Sequence, residues 1–261
     1  MMGKTLTASA PAHGMLHFVK CSTHTIPQLL AEIRLLLENK SLQPRTINCL
    51  NAHIFNLAWN DAELTTALNQ SRIVAADGMA IVWSARLFGL RVEERCNMTE
   101  AFRAFMQDSS FPASHSILVG GTEEIAQTAS ETIHKSCSHL TIVEALSGYL
   151  PEEYYRGYFR EQGPVDMILL GLGTPKTEKL LHIIAQERPE SLIWHIGGGT
   201  ILYLSGIQKE APTWMRRAGL QWLHRLLAEP RRMWRRYLIG NIQFVSRSLA
   251  CWLREALRAG S

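Results

Sequence analysis

Asp77, followed by Gly78 at the end of the apolar run 72–76, is the residue whose type and place best suit acid–base chemistry. A carboxylate at a strand exit faces the edge where ligands collect and can take a proton from an attacking hydroxyl. The same position also suits the N-cap of a following helix, a purely structural role. Three glycine turns follow further along: Gly120-Gly121-Thr122, Gly171-Leu172-Gly173 and Gly197-Gly198-Gly199. Each lets backbone approach a ligand and turns N–H groups toward an anion, and each alone could simply close a strand-to-helix turn. Three in one sheet point to a phosphate-bearing ligand. Lys176 stands where the third glycine of G-x-G-x-x-G belongs, and no Walker lysine pattern occurs, so dinucleotide redox and P-loop NTPase chemistry are poor fits.

A second constellation is the run 214–237, WMRRAGLQWLHRLLAEPRRMWRRY, in which arginine pairs flank Trp214, Trp222 and Trp234. Arginine suits bidentate phosphate recognition and tryptophan suits a membrane interface. A nucleic-acid groove is the competing use of such a run. Metal chemistry has little to stand on: His53, His182, His195 and His224 lack ligand spacing, and no D-x-D occurs to hold a divalent ion against a diphosphate. Neither a metal nor another cofactor is expected.

These residues need a frame. Helical spacing recurs at 26–37, 61–70, 79–88, 99–107, 122–136, 151–160 and 176–186. Apolar runs of strand length lie at 46–50, 72–76, 116–119, 140–143, 167–170 and 192–196. The alternation predicts an α/β, Rossmann-like parallel sheet covered by helices on both faces, with the glycine turns and Asp77 at its C-terminal edge. After Gly206 the pattern changes to a basic helical segment. From 205 to 261 there are eleven Lys or Arg against three Glu, a balance of +8, while the other 204 residues hold 16 basic and 20 acidic groups. That asymmetry suits a polyanionic partner. The expected organisation is a loose tail at 1–15, an α/β body at 16–206, and a membrane-docking appendage at 207–261.

The cysteines, Cys21, Cys49, Cys96, Cys137 and Cys251, are odd in number and scattered, which argues against a disulfide scaffold and for a reducing compartment. No run approaches the roughly 18–20 apolar residues of a spanning helix. A cytoplasmic protein held peripherally at the inner face of the plasma membrane is expected.

The sequence resembles the WecG/TagA/CpsF family, glycosyltransferase family 26, over roughly 15–245. The carriers are Asn51-Ala52-His53, ADGMAIVWSARLFG at 76–89, Glu94-Arg95, the turn at Gly120-Gly121, Gly148-Tyr149, GLGTPKTE at 171–178, and the long block 205–241. The resemblance implies an inverting, metal-independent transferase. It would move N-acetylmannosamine, its uronic acid or a related hexose from a UDP donor to a polyprenyl-diphosphate-linked glycan in cell-surface polysaccharide synthesis. It matches Asp77 to the catalytic Asp and Arg95 to an Arg near the donor diphosphate, and the tail arginines to a docking appendage that completes the site. Cys49 stands where the family has threonine, and Thr177 where it has glutamine.

The expected catalytic pair is therefore Asp77 with Cys49. The expected substrate-binding set is Asn51, Arg95, Gly120, Gly121, Gly171, Gly173, Thr177, Glu178, Gly197, Gly198, Arg225, Arg231 and Arg235. Partners would be the UDP-sugar, the lipid-linked acceptor and an anionic membrane, with no nucleic acid and with a homo-oligomer left open. Two other classes compete: a catalytically idle UDP-sugar-binding scaffold at the membrane, and a nucleic-acid-binding protein.

Overall fold

In a computed structural model, which describes residues 13–259, the chain begins with β1 (His13–Leu16), β2 (Val19–Ser22), α1 (Ile26–Glu38), β3 (Thr46–Leu50), α2 (Ala52–Ala58), α3 (Ala62–Gln70), β4 (Ile73–Ala76), α4 (Met79–Leu87) and α5 (Met98–Gln107). It continues through β5 (Ser114–Val119), α6 (Glu123–Ser136), β6 (Leu140–Leu146), α7 (Glu152–Glu161), β7 (Met167–Leu170), α8 (Lys176–Glu187), β8 (Leu192–His195) and α9 (Gly198–Leu204). The tail forms α10 (Thr213–Arg217), α11 (Gln221–Ala228), α12 (Pro230–Trp234), a π-helical turn (Arg235–Ile239) and α13 (Gly240–Ala259).

Every residue of β3, β4, β7 and β8 is buried, as strands sandwiched between helix layers must be. The eight strands run in the order β1-β2-β4-β3-β8-β7-β5-β6, parallel except for β1 against β2. Helix starts follow local chemistry. Asn51, Asp61, Asn97 and Thr122 each accept a first-turn N–H, and Thr25 forms a capping box with Gln28. The largest buried side chain, Trp194 of β8, packs edge-on against Phe102 and Phe105 of α5, with ring centres 5.5 and 5.7 Å away. That contact ties α5 to the centre of the sheet.

The antiparallel hairpin β1–β2 departs from the sequence reading, which placed 13–15 in the loose tail. Its strands have four residues each, too short for a period to show, and its turn uses His17 at φ 61° instead of a glycine. The rest of that expected tail, 1–12, lies outside the described residues. Helices α2 and α9 also lie outside the helices that the sequence predicts; each has seven residues and follows its strand closely, α2 behind the cap Asn51 and α9 behind Ile196 and the cap Gly197.

The tail packs back on the body. Phe244 of α13 is buried against Phe55 of α2, ring centres 5.0 Å apart. Ser248 and Ser84 share a hydrogen bond of 3.1 Å, and Arg247 donates to the Asn56 carbonyl at 3.0 Å. These contacts leave α13 with one face on α2 and α4 and one face outward.

Candidate active site

β3 and β8 pair at the middle of the sheet, and a parallel sheet binds its ligands in the crevice above the C-terminal ends of its strands. The loops leaving β3, β4, β7 and β8 all reach this crevice. Asp77 follows β4, held by its own N–H donating to the Leu50 carbonyl at 2.8 Å. The next-door Cys96 N–H donates to the Ala76 carbonyl at 2.8 Å. Asp77 does not cap α4: the cap position is Gly78 and no side chain caps that helix. The structural alternative for Asp77 is therefore absent.

Two cavities share this wall. One, about 260 Å³, lies over the glycine turns and is lined by Cys49, Asn51, Asp77, Asn97, Gly121, Gly171, Gly173, His195, Gly197, Gly198, Arg225 and Arg236 among others. The other, about 680 Å³, lies between α4 and the tail and includes Asn51, His53, Asp77, Met79, Trp83, Arg95, Asn97, Trp222, Arg225, Arg236 and Tyr237. Asn51, Asp77, Asn97, Arg225 and Arg236 face both. A carboxylate at such a junction can touch groups arriving from either side.

Burial raises the Asp77 carboxyl above its ordinary value, opposed by a 2.8 Å hydrogen bond from Asn97 Nδ2 and by the charges of Arg95 and Arg225. Burial also pushes the Cys49 thiol well up, with Asp77 and Glu178 adding to it, so Cys49 is neutral and cannot act as a base. Its Sγ lies 3.8 Å from His195 Nδ1, and burial holds that imidazole down at about 4.

The glycine turns divide their work. Gly197 has φ 88°, which admits almost no side chain, and a side chain at Gly199 would run into the Arg225 guanidinium. Arg225 is seated by Tyr203, whose hydroxyl accepts from its Nε at 3.1 Å.

Residues 16–258 match the Glycosyl transferase WecG/TagA/CpsF family. The chain belongs to that family. It is 26% identical over 192 residues to the N-acetylglucosaminyldiphosphoundecaprenol N-acetyl-beta-D-mannosaminyltransferase of Bacillus subtilis (strain 168), a match that covers 74% of each protein. The protein is accordingly a glycosyltransferase, and its sheet is the α/β fold that the alternation of apolar strands and helices predicts.

The transferase gathers most of the anticipated residues at the crevice, but not all of them there. Asp77, Cys49, Asn51, Arg95, Gly121, Gly171, Gly173, Gly197, Gly198 and Arg225 line one or both cavities. Gly120 lies underneath, against Ile201 and Gly171. Thr177 is buried behind the lining, where its hydroxyl accepts the Gly173 N–H at 2.9 Å and so braces that loop. Glu178 is fully buried beside it, taking a 2.8 Å hydrogen bond from the Thr174 hydroxyl. Arg95 donates to Glu100 at 2.8 Å and to the Arg216 carbonyl at 2.9 Å, so it latches α10 to the body at the cavity rim. Arg231 and Arg235 are exposed and line neither cavity; Arg235 lies over the Trp234 ring. Arg236, which sequence reasoning passed over, lines both. Neighbouring residues on a helix point about 100° apart, so an Arg-Arg pair cannot declare which member faces inward.

Proposed function

We propose that this transferase moves an N-acetylmannosamine-type sugar from a UDP donor to a polyprenyl-diphosphate-linked acceptor, with inversion and without a metal. The observation that carries this reading is the junction of two cavities at Asp77. The smaller, walled by backbone of the glycine turns and by Arg225 and Arg236, suits a nucleoside diphosphate. The larger, with Trp83, Met79, Trp222 and Tyr237 beside Arg95 and Arg236, suits a sugar on a diphosphate-lipid stem. The relative in Bacillus subtilis, named for transfer of N-acetyl-beta-D-mannosamine to a diphosphoundecaprenol-linked acceptor, supports the same substrate classes.

In the reaction the acceptor oxygen forms a bond to the anomeric carbon from the face opposite UDP, while the bond from that carbon to the β-phosphate oxygen breaks. The hydroxyl proton passes to Asp77, and the bonding electrons leave with UDP. A positioned carboxylate base contributes about 10²–10⁴-fold. The charge growing on the β-phosphate is met by the Arg225 and Arg236 guanidiniums and by N–H groups of the turns, which act in place of a divalent ion. Cys49, as a neutral thiol, can hydrogen-bond weakly but takes no proton.

An anionic membrane supports delivery of the acceptor. No helix among the described residues is long and apolar enough to cross a membrane. The outward face of α13 instead presents Ile242, Val245, Leu249, Trp252, Leu253 and Leu257, with Ile242 71% and Leu257 75% exposed. Such a stripe suits insertion at an interface, with the nearby exposed Arg231, Arg235 and Arg254 meeting lipid headgroups.

The test is incubation with a panel of UDP-sugars and a polyprenyl-diphosphate-linked N-acetylglucosamine, with and without EDTA. Product mass identifies the sugar, and NMR of the new linkage reads its stereochemistry. We expect an inverted N-acetylmannosamine-type product at a rate that EDTA leaves intact. A rate abolished by EDTA and restored by magnesium would overturn the metal-free reading.

A further inference from the structure

Asn97 has one side-chain amide and two partners. Its Oδ1 accepts the Glu100 N–H at 3.0 Å as the N-cap of α5, and its Nδ2 donates to Asp77 Oδ1 at 2.8 Å. The cap fixes which end of the amide is which. A backbone N–H needs the carbonyl oxygen, so the amide nitrogen is left to face the carboxylate. The backbone is in register too, because Cys96 is bonded to Ala76 and Asp77 to Leu50, each at 2.8 Å. Helix α5 is itself anchored to the sheet through Trp194. Asn97 is therefore held from three directions before it touches Asp77.

We infer that Asn97 is the positioning residue for the base: it occupies Asp77 Oδ1 and leaves Oδ2 to the acceptor hydroxyl. This rests on the functional reading above. The hydrogen bond also favours the ionised carboxylate, the form that accepts a proton, against burial. The other charged or titratable groups that act on Asp77 are Arg95 and Glu100 beside it, Arg225 from the tail, and the thiols of Cys49 and Cys96. Arg236 and His53 share its cavity walls, and burial keeps His53 neutral, down at about 4.

Asn97→Asp keeps the cap acceptor and replaces the donor by a like charge. We expect kcat at pH 7 to fall about tenfold or more, KM for the donor to stay within about threefold, and the acidic limb of the kcat profile to move up by about one pH unit or more. Asn97→Ser keeps the cap without a charge and stops short of Asp77, so its limb should move the same way by less. It carries the same test if Asn97→Asp does not fold. An unmoved limb in a folded variant would overturn the assignment, because a cap alone leaves the pH profile where it was.

A second readout does not depend on transfer. Asp77 has a raised value when folded, so its contribution to stability is present at low pH and lost as pH rises through that value. The pH profile of melting temperature for Asn97→Ser, compared with Asn97→Ser/Asp77→Asn, should place that loss at higher pH than wild type compared with Asp77→Asn. Identical positions would overturn the inference. If the wild type transfers no sugar from any UDP donor, the functional reading has failed, and the melting comparison still decides the role of Asn97.

Discussion

Asp77 is half of a contrast that the site draws between its buried acids. It sits at the cavity junction, with Asn97 and two arginines working to keep it ionised. Glu178 lies one layer behind. One carboxyl oxygen accepts from Thr174 and stands 3.9 Å from His195 Nδ1, and the other is buried without a hydrogen-bond partner among the described residues. Burial raises it from 4.5 to about 7. A raised carboxyl gives stability that is complete below its unfolded value and is lost as pH climbs through the folded one. His195 acts with the opposite sign: burial lowers it to about 4, so its contribution is complete above the ordinary imidazole value and is lost as pH falls through 4. Between about pH 5 and 6.5 the two slopes oppose each other. Glu178→Gln removes one of them. We expect its melting temperature to gain on wild type as pH rises from 5 to 8, read by calorimetry across that range. A constant difference between the two proteins would show that Glu178 does not titrate there.

At the scale of elements, the helices and buried strands that carry Asp77 and the glycine turns were legible because their periods and punctuation are local. Apolar runs announce β3, β4, β7 and β8; glycine marks the exits of β4, β7 and β8, and Asn51 that of β3. What was not legible depends on contacts between distant segments. The β1–β2 hairpin is stabilised by the edge of the sheet, not by its own short strands. Asn97 reads locally as an ordinary cap, and only the pairing of its loop with β4 brings it to Asp77. Arg236 was hidden for a similar reason, since the π-helical turn that begins at Arg235 alters the register by which arginines leave the helix. The outward face of α13 makes a prediction at this scale. Changing Ile242, Leu249 and Leu253 together to glutamine should weaken binding to anionic vesicles about a hundredfold, at roughly 1 kcal/mol for each partly inserted side chain. Co-sedimentation measures it. Because all three point away from the body, the melting temperature should stay near wild type, and undiminished sedimentation would reject the stripe as the membrane contact.

The molecule as a whole joins a body and a tail that neither cavity can do without. Arg95 bonded to the Arg216 carbonyl, Glu210 paired with Arg103 and Arg216, and Phe244 seated on Phe55 make the tail a wall of the site. A chain cut after Gly206 would bare Phe55 and lose Arg225 and Arg236 together, so point substitutions on the outer stripe separate docking from catalysis more cleanly than truncation. The central claim is that the carboxylate at the meeting point of the two cavities takes the acceptor proton. Asp77→Asn keeps the shape and removes the base. Turnover with a UDP-sugar and a polyprenyl-diphosphate-linked acceptor should fall by about a hundredfold or more while UDP affinity, measured on the same preparation, changes by no more than about threefold. Turnover within about twofold of wild type would contradict the account.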